Sequence, residues 1–426
     1  MQKDNQIDYK EIFRHVEGLK IATIVIGAAR SGSDFFQSLL DGHSQILQFT
    51  GHWSFESFWE KAVCKTNLSD LIDEFIWFSG STRAHISKFK SQYDKMERWD
   101  RLGEGKNESF SVDIDLFKSH LSNLMKDREI NSRNYFLAVN AAYGLACKIN
   151  VMQTRLLLYH VHTYDKLEAF KKDFPCFTVI CTTRDPRNVI TSGMNHWGGY
   201  NAGKFSPITF YRLIKRTFRE SEPILQYTRE IRVLKLEDLH LMTNTVIEDF
   251  CSLFDLKKEA SMFVSSFHGK LWWGDEVTPR FINGFNPNIK RKNWKENITQ
   301  FENIWIEFLL ATRLRHYRYD LETTGRGLLM MLLSFFLMHL PTKYEIRILS
   351  FRLSKEETYQ SKLRLTLTVL KYYVQRIAFL YGCFIKRCRR KLYLPKYLGM
   401  QYHDIKQIAF LCITLFYGKA FLWLTG

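Results

Sequence analysis

IATIVIGAARSGSDFFQSLL, residues 21–40, decides the fold. Residues 21–27 are a short apolar, β-branched run that ends in glycine, the pattern of a parallel strand buried on both faces. Phe36, Leu39 and Leu40 then recur at helical spacing over 33–41. Strand, tight turn and helix in this order open a crossover unit. Working outward, 135–139, 154–161, 177–183 and 231–236 read as further strands, with helical segments between them such as 209–227. Strands alternating with helices define an α/β protein with a parallel sheet flanked by helices.

Composition is consistent with one large core plus an appendage. The 426 residues are 46% apolar and 25% charged, which excludes bulk disorder. The net charge of +17 is uneven: residues 326–426 carry +13, with 17 Lys/Arg against Glu345, Glu356, Glu357 and Asp404, and leave +4 for residues 1–325. A boundary near 322–325 therefore separates a domain, 1–325, from a basic, aromatic-rich helical tail, 326–426. The eight cysteines show no C-x-x-C pair and no metal-ligand spacing, and they read as reduced and mostly buried. The polar first twenty residues contain no apolar signal or anchor core, so a cytoplasmic location is expected.

Between strand and helix, Gly27-Ala-Ala-Arg30-Ser31-Gly32-Ser33-Asp34 combines glycines and small residues that let backbone N–H groups approach an anion. The following helix turns its positive end to the same place. The spacing copies the triphosphate loop G-x-x-x-x-G-K-[ST] as far as Gly32, and then Ser33 replaces the lysine and Asp34 the magnesium-binding hydroxyl. Arg30 supplies the cation from inside the loop. Such a loop suits a single phosphate neutralised by side chains, with no metal expected. A second motif, Arg184-Asp185-Pro186 after the 177–183 strand, reads as a strand end followed by a helix with Asp185 as N-cap and Pro186 at N1. That puts Arg184 at the carboxyl end of a strand, where open α/β sheets bind ligands. Ser192 lies two turns into the helix.

Together the two motifs resemble the sulfotransferases that use 3'-phosphoadenosine 5'-phosphosulfate (PAPS), in their bacterial and carbohydrate-type variant with a P-loop-like fold. Arg30-Ser31-Gly32-Ser33-Asp34-Phe35 is similar to that family's 5'-phosphosulfate loop, and Arg184 with Ser192 matches its 3'-phosphate pair. VLKLEDL at 233–239 is similar to a family strand end. Lys290, Arg291 and Lys292 before Trp294 resemble its basic segment over the nucleotide. The resemblance covers about residues 20–320. It implies PAPS as co-substrate and sulfuryl transfer to a hydroxyl-bearing acceptor, a glycan, a lipid-linked or a small molecule. It further implies Phe35 stacked on adenine, although Phe35 reads equally as core. Asp34 departs from the family's hydroxyl residue and suits a helix cap that turns away from the phosphate.

In-line transfer to an alcohol needs a base beside the acceptor oxygen and cations on the leaving oxygens. His162, at the end of the 154–161 strand, is the first candidate base, and its place 22 residues before Arg184 resembles that of the family's catalytic histidine. His160 on the same strand face and Glu56 in the aromatic run after the first helix are the alternatives. Two other readings of the chain stay open: a P-loop nucleotide kinase, against which Ser33 counts, and a non-catalytic membrane-docking protein with a degenerate nucleotide fold.

In the tail, 327–342 and 407–418 are uncharged but shorter than a span of ~20 residues. Basic and aromatic residues interleave between them. The pattern fits interfacial helices on an anionic membrane surface, hence a peripheral protein at the inner face of the membrane. A packed appendage or an oligomer interface is the alternative, and no nucleic-acid partner is expected.

Overall fold

A computed structural model describes residues 7–27, 30–51, 53–62, 64, 67–77, 101–162, 164–200, 207–219, 231–274, 285–286, 288–289, 293–323, 327–354 and 358–389. In chain order the elements are α1 (Tyr9–Glu17), β1 (Lys20–Ile26), α2 (Ser33–Leu39), β2 (Ile46–Gln48), α3 (Phe55–Ala62), α4 (Leu68–Trp77), α5 (Ile114–Met125), α6 (Ser132–Ala146), β3 (Leu156–His162), α7 (Leu167–Asp173), β4 (Thr178–Thr183) and α8 (Pro186–Tyr200). They continue with α9 (Pro207–Arg219), β5 (Ile231–Lys235), α10 (Leu236–Leu241), α11 (Thr243–Phe254), the short hairpin β6 (Ser266–Phe267) and β7 (Lys270–Leu271), α12 (Gln300–His316), α13 (Leu328–Leu337), α14 (Lys343–Leu353) and α15 (Tyr359–Arg389). They group into two compact units, Met1–Phe205 with Arg219–Arg291, and Ser206–Phe218 with Lys292–Gly426. Helices α9 and α12, which precede residue 325, thus group with the C-terminal helices.

The first unit is an α/β body around a five-stranded sheet of order β2-β3-β1-β4-β5. Every pair in it is parallel. Ala22, Ile24 and Val25 of β1 and Leu156, Leu157 and Leu158 of β3 are all fully buried. This is why these strands read as continuous apolar runs rather than alternating ones. From β1 the chain leaves toward β2 and β3, whereas β4 and β5 lie on the other side, so β1 and β4 flank the point where the connections diverge. In open parallel sheets that is where ligands bind, outside the carboxyl ends of the strands.

Two local expectations are corrected. Residues 135–139 are not a strand but the first turns of α6, capped by the Asn131 side chain, which accepts from the Asn134 N–H. Residues 135–144 are buried throughout, so the run shows no period to separate helix from strand. The cap decides it. Conversely β2, three residues paired only with β3, is too short to leave a periodic signal. In the aromatic stretch after residue 53, Trp53, Phe58 and Phe75 are core residues at most 1% exposed, and Trp53 stacks on Phe136, whereas Trp77 is 54% exposed. Of the described cysteines only Cys181 and Cys251 are buried, and Cys64, Cys176 and Cys388 are exposed, so most are not core residues.

The second unit is helical. Thr299 and Glu302 form a reciprocal capping box at the start of α12, and Arg313 of α12 donates to the Thr217 carbonyl of α9 at 2.8 Å. Arg376, fully buried in α15, grips Glu345 at 2.8 and 3.1 Å and the carbonyls of Met338 and Leu340 at 2.9 and 3.0 Å. Glu345 in turn accepts from the Thr342 N–H at 2.8 Å, which caps α14 and ties it to α15. Residues 390–426, including the 407–418 run, lie outside the described residues.

Candidate active site at the carboxyl ends of β1, β3 and β4

β1 ends beside β4, with Ile26 opposite Thr182, and the Gly27 N–H donates to the Thr182 carbonyl at 2.9 Å. Beyond it the backbone turns through two left-handed residues, Arg30 at φ +62° and Gly32 at φ +82°. An arginine in that region carries a local strain cost of ~1–3 kcal/mol. Between them the buried Ser31 hydroxyl lies 2.8 Å from the Thr182 hydroxyl. This contact ties the loop that carries Arg30 to the strand end that carries Arg184, one residue past β4. A Cβ at Gly32 would sit 2.3 Å from Leu236 Cδ1 at the start of α10, so the Leu236 side chain would have to move to admit it. Ser33 then opens α2 and is buried.

Asp185 caps α8 as the sequence predicts. Its carboxylate accepts from the Arg187 backbone N–H at 2.9 Å and from that residue's guanidinium at 3.0 and 2.8 Å. Arg184 is half-buried beside Glu237, from the VLKLEDL segment, and His240, which sequence reasoning did not single out. Burial pushes the Glu237 carboxyl up, partly offset by the Arg184 charge, and its Oε1 accepts the Asp185 N–H at 3.1 Å. His240 is driven down to about 4 by burial and then by the Arg184 charge, so its neutral Nδ1 accepts the Asn286 N–H at 3.1 Å. The His240 ring stacks on Phe35 at 4.5 Å and 12°, and Phe285 meets Phe35 edge-on at 5.6 Å. One face of Phe35 is therefore held by His240. Ser192 is half-buried on α8, while Lys290, Arg291 and Lys292 lie outside the described residues.

On the other flank of β1, β3 brings its two histidines to the same end of the sheet. The β1–β3 register slips between Ile24, opposite His160, and Val25, opposite His162. His162 ends the strand at φ +69°. His162 Nδ1 lies 3.4 Å from His160 Nε2, and His160 Nδ1 lies 2.9 Å from Gln37 Oε1 on α2. The amide of Gln37 is oriented by its own donation to the Phe49 carbonyl at 2.6 Å. A backbone carbonyl only accepts, so the NH₂ must face Phe49 and the oxygen must face His160. His160 therefore carries its proton on Nδ1, where the Asp34 carboxylate, 3.9 Å away, also favours it. With both rings neutral, His160 Nε2 accepts from His162 Nδ1–H, and the His162 lone pair is left on Nε2. Asp34 is thus turned toward His160.

Glu56, the other candidate base, hangs from a different face. Its Oε2 accepts from Tyr159 OH at 2.8 Å, and Tyr159 precedes His160 and so points to the opposite side of β3. Burial raises its carboxyl to about 7. Among the described residues no three His, Cys, Asp or Glu side chains converge on a metal position.

No family model matches the chain. No curated protein matches it either. Several solved structures are similar to it, two of them as follows. One is the sulfotransferase domain from the curacin biosynthetic pathway, 13% identical at a TM-score of 0.33, covering 74% of this chain and 96% of that one. The other is a sulfotransferase of Mycobacterium tuberculosis, 15% identical at a TM-score of 0.32, covering 60% and 73%.

Proposed function

We propose that this chain transfers a sulfuryl group from PAPS to a hydroxyl of an acceptor, a glycan, a lipid-linked or a small molecule. The observation that carries this reading is the 2.8 Å contact of Ser31 with Thr182, which joins the Arg30 loop to the Arg184 strand end. Two guanidiniums on adjoining loops suit a ligand with two separate phosphates, because each planar fork takes its own set of oxygens. Arg30, Ser31, Gly32 and Ser33 would hold the 5'-phosphosulfate. Arg184 and Ser192 would hold the 3'-phosphate, aided by Lys290, Arg291 and Lys292, and the exposed part of Phe35 would meet the adenine.

The base lies on the opposite flank of the same loop. As the acceptor oxygen bonds to sulfur, its proton passes to His162 Nε2. The bond between sulfur and the 5'-phosphate oxygen breaks, and adenosine 3',5'-bisphosphate leaves with its added charge facing Arg30. His160, Gln37 and Asp34 act as positioning residues that set the His162 tautomer.

Calorimetric titration with adenosine 3',5'-bisphosphate in the absence of magnesium tests the reading, together with transfer of labelled sulfate from PAPS. Arg30→Ala and Arg184→Ala should each weaken bisphosphate binding by about tenfold or more, the worth of a charge-assisted contact. Equal affinity in the wild type and both variants would end the assignment.

A further inference from the structure

We propose that the second unit docks on an anionic lipid surface through an apolar face formed by α15 and α13. The proposal is independent of the transfer chemistry. Tyr359, Leu363, Leu367, Leu370, Val374 and Tyr381 of α15 are 48–80% exposed. Their spacing of three, four and seven places them on one stripe, ~33 Å long at the helical rise. Another face of the helix is already used within the fold: Leu365, Val369 and Leu380 are at most 8% exposed, with the buried Arg376 among them. With its packing inside the fold already supplied by that buried face, the exposed apolar stripe marks an interaction surface.

α13 extends the same surface. Leu328, Leu329, Leu332 and Phe336 are 44–77% exposed, and the Phe335 ring lies 6.2 Å from Tyr381 at the end of the stripe. Residues 327–342 contain no charged side chain. No helix among the described residues is long and apolar enough to cross a membrane, so this face would lie along a bilayer rather than through it.

Charge selects the occupant. α15 carries seven Lys/Arg and no Asp or Glu, and exposed Lys362, Arg364 and Lys371 border the stripe. A second copy of the chain would set these cations against their own kind. Residues 390–426 hold five Lys/Arg and one acid, so they offer almost no counter-charge to these cations. An acidic headgroup layer over apolar acyl chains complements both the cations and the stripe.

The test is co-sedimentation of the full-length chain with phosphatidylcholine vesicles, with and without phosphatidylglycerol, over a salt series. The wild type should bind the anionic vesicles and release from them as salt rises. The Leu367→Ser/Val374→Ser double variant, changed only at exposed positions, should bind at least about tenfold more weakly with an unchanged near-UV circular dichroism spectrum. Lys362→Gln/Lys371→Gln should lose about fivefold per cation and flatten the salt dependence. No binding by the wild type, or binding by both double variants as tight as the wild type's, overturns the proposal. So does a wild-type dimer in ultracentrifugation that Leu367→Ser/Val374→Ser dissociates without any vesicle binding, which would assign the face to a second copy.

Discussion

Gln37→Met tests how the histidine pair is set. Gln37 is fully buried and does two things at once, donating to Phe49 O at 2.6 Å and accepting from His160 Nδ1 at 2.9 Å. Methionine fills a similar volume without either role. The His160 Nδ1–H would lose a hydrogen bond of net worth ~1 kcal/mol, which shifts the ratio of its two tautomers about fivefold toward Nε2–H. Asp34 at 3.9 Å stays on the same nitrogen, so the shift is partial rather than complete. Each His160 ring that moves its proton to Nε2 forces His162 Nδ1 to accept, and the His162 proton goes to Nε2. The rate of transfer should fall by up to about fivefold, because that proton occupies the lone pair the acceptor needs. Long-range proton–nitrogen correlation spectra of histidine-labelled protein read the tautomers directly, whatever the activity. In the wild type at neutral pH both rings should carry the proton on Nδ1, and in Gln37→Met both should acquire Nε2–H character. A wild-type His160 with a bare Nδ1 would refute the reasoning, as would tautomers indifferent to residue 37.

Gly32→Ala places a side chain at φ +82° and 2.3 Å from Leu236 Cδ1. It should lower stability by ~1–3 kcal/mol from the backbone alone, and adding Leu236→Ala should restore bisphosphate affinity but not the backbone cost. Thermal unfolding and titration read the two effects separately. Arg376→Met strands the buried Glu345 carboxylate and should destabilise the second unit by ~3–5 kcal/mol, with part recovered by Glu345→Gln, as judged by urea unfolding. The folded-state value for Glu56, about 7 against an ordinary 4.5, means that folding favours its protonated form. Its stabilising contribution is full below about 4.5 and is lost as pH rises through about 7, a fall of roughly 3 kcal/mol. Glu56→Gln should flatten that fall in urea titrations between those limits, and an unchanged slope would remove the carboxyl from the account.

The residues 21–40 and 177–192 hold in local order the signals that set strand, turn and helix, because those signals act between near neighbours. A buried parallel strand must be apolar on both faces, and Asp185 with Pro186 starts a helix through contacts one or two residues away. Hence β1, α2, β4 and α8, and the guanidiniums 30 and 184 at their strand ends, are legible without coordinates. The 135–139 run was not, because an apolar run buried on all sides has no period, and only the Asn131 cap separates the two readings. The partners of the site come from distant parts of the chain: Thr182 against Ser31, His240 against Phe35, Gln37 against His160. No spacing rule links them. Parallel pairing in the order β2-β3-β1-β4-β5 sets the histidine strand on one side of the loop and the Arg184 strand on the other. Likewise the amphipathic content of the tail is visible in its letters, but which face of α15 is used up inside the fold depends on packing that only the folded chain contains.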